Sequence, residues 1–271
     1  MFGLFKSIIY LALAINAFLF LQEDLLAMSA VFTEGFQWSS FVEAFSASID
    51  TASWLVLLIV FELETFVVED DVLEAWVGRL LKTIGIICYL IIICAFYGYV
   101  SALGLVNGFN PVAGQFIDYR DLVAIGSYQF VETLDNYVPL TADNCRTLGP
   151  NSFINEASGL LAPAENFYEL KTLTWIDIIN AGAWILVVLV LQLEIFLGKT
   201  KAIFERAKLF LYALLFLVLL AWIFYGGFLD IWDAALWLVA FFCIEMNVVT
   251  WRKEKAERKR SEGMVDDRLI D

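Results

Sequence analysis

Three stretches of this chain repeat one spacing of polar points within otherwise apolar sequence. Each begins with Asp or Asn and runs through three mostly small residues to Trp. Polar residues then follow eight and ten positions after that Trp. The first runs Asp50, Trp54, Glu62, Glu64; the second Asn180, Trp184, Gln192, Glu194; the third Asp233, Trp237, Glu245, Asn247. Between the polar points lie LVLLIVF, ILVVLVL and LVAFFCI. Runs of about 20 apolar residues are what a helix needs to cross about 30 Å of hydrocarbon. Six such spans are read here, at 7–22, 49–68, 83–106, 175–198, 208–228 and 232–251. The first is the shortest and also fits the apolar region of a signal peptide. The Ala27–Ala30 region offers no clean A-x-A site, so an uncleaved first helix is expected.

Composition agrees with the pattern. Hydrophobic residues make up 61% of the chain, against roughly 45–50% in soluble domains, and the mean hydropathy is +0.76. Charge then orients the spans. Lys6, Arg79, Lys82, Lys199, Lys201, Arg206, Lys208 and the tail from Arg252 to Arg268 fall on one side. Of 17 lysines and arginines, only Arg120, Arg146 and Lys171 fall on the other. Positive-inside sorting therefore predicts an inner-membrane protein with both termini cytoplasmic.

The net charge of −14 is concentrated on the outer side. The first outer segment carries Glu23, Asp24, Glu34 and Glu43, and the second, 107–173, carries eight acids against three bases. That surface is either an acidic vestibule that concentrates cations or the ordinary depletion of Lys and Arg from outer loops. The only basic cluster, WRKEKAERKR, follows the last span and suits contact with anionic headgroups rather than nucleic acid.

The fold expected is an all-α polytopic membrane protein, with six transmembrane helices arranged as three parallel hairpin repeats under a loop-rich extracytoplasmic cap. The hairpins occupy 1–68, 69–198 and 199–251, and a charged tail occupies 252–271. Ascending helices start at Lys6, Lys82 and Lys208, and Tyr97-Gly98 matches Tyr225-Gly226 near two outer ends. The insertion 107–173 holds all four prolines, a loop signal. Within it, DLVAIGSYQFVETL and FINEASGLLAPAENFYEL read as short helices packed on the outer face. No span contains proline, so continuous helices are expected rather than the broken helices of transporters. Three two-helix repeats resemble mitochondrial carriers in outline, but their Pro-x-Asp/Glu-x-x-Lys/Arg signature is missing, which removes that family.

Helical geometry sorts the polar residues. Asp50 and Glu64 fall within about 40° of each other and roughly 21 Å apart along the axis. Glu62, Gln192 and Glu245 project about 160° away from the last residue of each triplet. Six residues, Glu62, Glu64, Gln192, Glu194, Glu245 and Asn247, then share one depth in the cytoplasmic half and are the candidate translocation or ion-binding layer. Rings of carboxylates and amides bind cations, and intramembrane acids carry protons. The alternative places them near enough to the inner headgroups to reach water. Glu245 is the deepest, with no base expected at its level. Asp50, Asn180 and Asp233 are read as helix N-caps, and Trp54, Trp184 and Trp237 as interfacial anchors.

Other chemistry is scarce. The chain has no histidine, the commonest metal ligand, and no Walker loop, G-x-S-x-G or C-x-x-C. No lysine lies in the interior of a span for a Schiff base. No cofactor, metal or catalytic residue is assigned, and enzyme activity is not expected. Cys145 is the single cysteine placed outside, where it is expected to react from the outer side or bridge to another molecule. Two functions remain. One is translocation of a cation or proton through the carboxylate/amide layer. The other is a non-catalytic membrane scaffold or complex subunit that uses its helices and cap for protein interaction, including with a second copy of itself.

Overall fold

The computed structural model describes residues 2–31, 41, 45–64, 76–112, 118–133, 136–197, 202–244 and 246. Helices α1 (Phe2–Val31), α2 (Ser46–Glu62) and α3 (Trp76–Asn107) come first. A small sheet follows, built from β1 (Asn110–Pro111), β2 (Gln129–Val131), β3 (Tyr137–Pro139), β4 (Phe153–Asn155) and β5 (Leu160–Ala162). Helix α4 (Tyr119–Ile125) lies between β1 and β2. The chain then returns through α5 (Ala164–Leu197), α6 (Ala202–Tyr225) and α7 (228–244).

Among the described residues four helices are long and apolar enough to cross a membrane: Gly3–Leu25, Trp76–Asn107, Ala164–Leu193 and Ala202–Tyr225. Their outward faces are apolar, with Leu11 64%, Ile86 61%, Leu209 70% and Phe210 66% exposed. Surfaces of that kind are covered by lipid, not water, and the chain is a multi-pass membrane protein. Within the described residues α2 spans 17 residues, roughly 26 Å at 1.5 Å per residue, and α7 is of similar length.

Helix α7 closes the bundle. Leu236 and Ala240 pack with Ile9 and Leu13 of α1 and Leu58 of α2. Its Leu238 and Phe241 meet Val187 of α5 and Leu211 of α6. Closer to the cap, Ile231 and Ala234 meet Ile176 of α5 and Val218 and Trp222 of α6. The remaining neighbours follow chain order, with α1 against α2, α2 against α3, α3 against α5 and α5 against α6. Ser46, Ser48, Thr51 and Ser53 are all buried on α2, and small residues let backbones approach within a membrane.

The cap corrects the expectation of loops and short helices. It is a five-stranded sheet in the order β1-β4-β5-β2-β3, with β2 and β5 parallel and the other pairs antiparallel. DLVAIGSYQFVETL supplies a helix only as far as Ile125, where Gly126 at φ 75° ends it, and then strand β2. FINEASGLLAPAENFYEL supplies β4 and β5, a hairpin turned through Gly159 at φ 66°, and then the start of α5. Such φ values suit glycine, which has no Cβ to clash. Both sheet faces are covered. Val131, Leu160 and Ala162 face Val106 and Phe109 at the end of α3 and Phe167 and Leu170 of α5. Phe130, Leu161 and Ile154 face Cys145, Leu148 and residues Tyr119, Leu122 and Val123 of the α4 region. The strands alternate between two buried faces and so read as unbroken apolar runs, which periodicity cannot tell from buried helix.

Two asparagines join cap to bundle. Asn155, 3% exposed, donates from Nδ2 to the Leu105 carbonyl near the end of α3 at 2.9 Å. Asn166 on α5 donates to the carbonyls of Val131 and Glu132 at 2.9 and 3.0 Å. Helix α5 thereby begins 11 residues ahead of the span expected at 175 and rises into the cap as one continuous rod. Cys145 is 6% exposed, and its Sγ–H is directed at the Ala142 carbonyl. The exposed, bridging thiol expected from sequence is instead part of the cap core.

Candidate functional site

Helix α1 is held to its neighbours by polar contacts at three levels. At the end away from the cap, Lys6 Nζ donates to both oxygens of Glu62 on α2, at 3.0 and 2.8 Å. The Tyr10 hydroxyl donates to Glu62 Oε1 at 2.7 Å. These ions are largely enclosed, with the Lys6 and Glu62 side chains 14% and 16% exposed. Near mid-helix, Asn16, 1% exposed, donates from Nδ2 to Asp233 Oδ1 on α7 at 3.0 Å. On the cap side, the backbone N–H and hydroxyl of Ser48 at the start of α2 both donate to Asp24 Oδ2. Asn, Asp and Ser side chains join membrane helices because hydrocarbon offers them no other partner.

The repeated Asp-x-x-x-Trp spacing has a local meaning that differs from capping. Helix α2 starts at Ser46 with Phe45 at the cap position, so Asp50 lies inside the helix. Asp233 lies inside α7, and Asn180 is well within α5. The N-cap reading is therefore wrong for all three. Instead, Trp54 stands beside the Asp50 carboxylate, and Trp237 beside that of Asp233. A four-residue step places both residues on one helix face, so each pair lies within its own helix. The tryptophans are not simple outward anchors either. Trp184 and Trp237 meet edge-on at 6.4 Å, and Trp184 also contacts Phe241 at 5.3 Å. Two of the three repeats thus contribute their Trp to one layer inside the bundle.

Around Tyr99 of α3 the acids converge. It lies within electrostatic reach of Asp50, Asp177, Asp24 and Asp233, which come from α2, α5, α1 and α7. Asp233 also feels Asp230, whose carboxylate accepts the Gly227 N–H at 2.9 Å in the turn between α6 and α7. This cap-side cluster contains two of the residues taken from the repeat motif and Asp24 of the first acidic segment, while Tyr99, Asp177 and Asn16 were not singled out from sequence. Asn16, set in LALAINAFLFL, carried a usable signal as a lone amide in an apolar run. Asp177 carried a weaker one, three positions before Asn180 and so on nearly the same helical face. Tyr99 within YGYV gave none.

The candidates far from the cap divide. Glu62 faces α1 and its lysine, whereas Gln192 donates from Nε2 to the Tyr89 hydroxyl of α3 at 3.3 Å. Glu64 lies in electrostatic range of the same Tyr89. Gln192 thus reaches a tyrosine of α3 with Glu64 in electrostatic range of it, while Glu62 turns to another helix. The side chain of Glu194, together with Glu245 and Asn247, lies outside the described residues.

Every fully enclosed side-chain nitrogen or oxygen among the described residues has a hydrogen-bond partner. Among those residues no group of three His, Cys, Asp or Glu side chains is disposed to hold a metal ion. Comparison with protein-family models, with curated proteins and with solved structures finds no match.

Proposed function

We propose that this chain is a membrane scaffold or complex subunit, its helices locked by interhelical polar contacts and its sheet cap presented to another protein. The observation that carries this reading is the pairing of intramembrane polar groups across helices: Lys6 and Tyr10 with Glu62, Asn16 with Asp233, Ser48 with Asp24, and Gln192 with Tyr89. Residues committed to holding helices together are poorly placed to exchange ligands with a passing ion. In this reading the protein sits in the inner membrane as three parallel hairpins, with cytoplasmic termini and the cap outside. The test is proteoliposome flux. Vesicles holding the protein should pass protons and monovalent cations no faster than empty vesicles, and Glu245→Gln should change nothing. Photo-crosslinkers at exposed cap positions such as Arg120 and Glu156 should, in cells, give one discrete adduct. Flux above background, or cap crosslinks to nothing, would remove the scaffold reading.

A second reading rests on the convergence at Tyr99. In this reading the carboxylates from four helices within electrostatic reach of one hydroxyl supply the outer half of a polar path. A proton or cation would pass from there toward Glu64, Gln192, Glu194, Glu245 and Asn247. Under this reading Asp50→Asn and Asp233→Asn abolish a measurable flux and leave the fold intact, because an amide keeps the shape and one acceptor.

A further inference from the structure

We infer that the cleft between α2 and α3 is a binding site for one acyl chain of a bilayer lipid. The cleft is an open groove of about 260 Å³ lined by Phe41, Ile49, Ile87, Leu90, Ile91, Cys94 and Ala95. It exists because two small side chains, Cys94 and Ala95, face bulky ones. Ala95, 1% exposed, lies deepest, while Leu90 and Ile87, 59% and 49% exposed, stand at its open side. At the cap-side end Phe41 packs on the buried Phe45 with ring centroids 4.8 Å apart. From Ile87 to Ala95 the cleft follows α3 for roughly 12 Å, at 1.5 Å per residue. Its direction is therefore that of a lipid tail.

The occupant follows from place and chemistry. All seven lining side chains are apolar, so a water in the cleft would find no polar side chain to bond. The cleft opens from the middle of a membrane-spanning helix, continuous with the lipid-covered face that carries Ile86 and Ile93. What adjoins it there is hydrocarbon. A tail lying in the cleft gains dispersion contacts on several sides, where a tail on the flat face gains them on one.

The test uses the full chain in vesicles of phosphatidylethanolamine and phosphatidylglycerol, doped with a phospholipid bearing a diazirine on its acyl chain. After photolysis, adducts are mapped by mass spectrometry. Labelling at Ile87, Leu90, Ile91 and Cys94 should exceed that at Ile86 and Ile93 roughly fourfold, the equivalent of one buried methylene at about 0.8 kcal/mol. Cys94→Trp, which fills the cleft from an exposed position, should remove the excess while helicity by circular dichroism stays unchanged. Should that variant fold poorly, Cys94→Leu serves the same purpose with a smaller side chain. Equal labelling over the exposed face of α3, or an excess that survives a folded filled variant, overturns the proposal. Oxidative crosslinking of Cys94 between two copies also overturns it, since a second protein molecule would then occupy the cleft.

Discussion

The Lys6–Glu62–Tyr10 contact supports a quantitative prediction. Glu62→Gln removes the carboxylate that lies 2.8 Å from Lys6 Nζ but keeps an acceptor for the Tyr10 hydroxyl. The perturbation is therefore chiefly loss of the ion pair. Removing one partner from a buried pair in a soluble core costs about 3–5 kcal/mol. Two features lower that figure. Lys6 stands at the start of α1 and can extend its ammonium toward the headgroups. Side-chain hydrogen bonds in bilayers couple by only about 0.6 kcal/mol on average, and about 1.7 at most, because the unfolded chain also finds partners there. The side chains remain about 15% exposed, so the pair belongs near the upper end, and Glu62→Gln should destabilise the bundle by about 1–2 kcal/mol. A double-mutant cycle with Lys6→Met, read by steric trapping or graded detergent unfolding in bicelles, gives the coupling directly. The double variant should recover about 1 kcal/mol relative to the sum of the single effects. Additive single effects, or a Glu62→Gln variant as stable as the native protein, would refute the assignment of Glu62 to helix locking.

Other outcomes follow from the same contacts. Asn16→Leu withdraws the Nδ2–H that reaches Asp233 from a side chain 1% exposed, and should cost roughly 1–2 kcal/mol in the same unfolding assay. Gly159→Ala places a Cβ 3.0 Å from the Ser127 carbonyl at a positive φ; loss of about 1 kcal/mol or more should appear as faster proteolysis within 127–162. Gly108→Ala would set a Cβ 2.7 Å from Asn155 Nδ2 and should loosen the cap where Asn155 holds α3, seen as accelerated amide exchange at Leu160 and Leu161. In native membranes maleimides should modify Cys145 slowly even from the cap side, because it is 6% exposed, and rapidly once the cap is unfolded; fast native labelling would contradict the packing.

Apolar run length carried the membrane assignment from sequence alone, since 61% hydrophobic content in stretches of span length has no other soluble or insoluble home. Helical spacing also gave an expectation for the directions of Glu62 and Glu64, because 3.6 residues per turn is a local property. The partners of those residues were not local. Lys6 and Glu62 are 56 positions apart, and Asn16 and Asp233 are 217 apart. No one-dimensional pattern announces which helices become neighbours, and α7 reaches α1 only through the closure of the bundle. Asp50 and Asp233 had the residue type and approximate position of caps, yet the helices began about one turn earlier and placed them inside, beside their own tryptophans. The cap shows the same limit in strand form. Phe130-Val131 and Leu160-Leu161-Ala162 are apolar at every position because each sheet face is covered, by helix ends on one side and α4 on the other. Local sequence fixed that these segments would be buried, and only tertiary packing decided that they would be buried as strands.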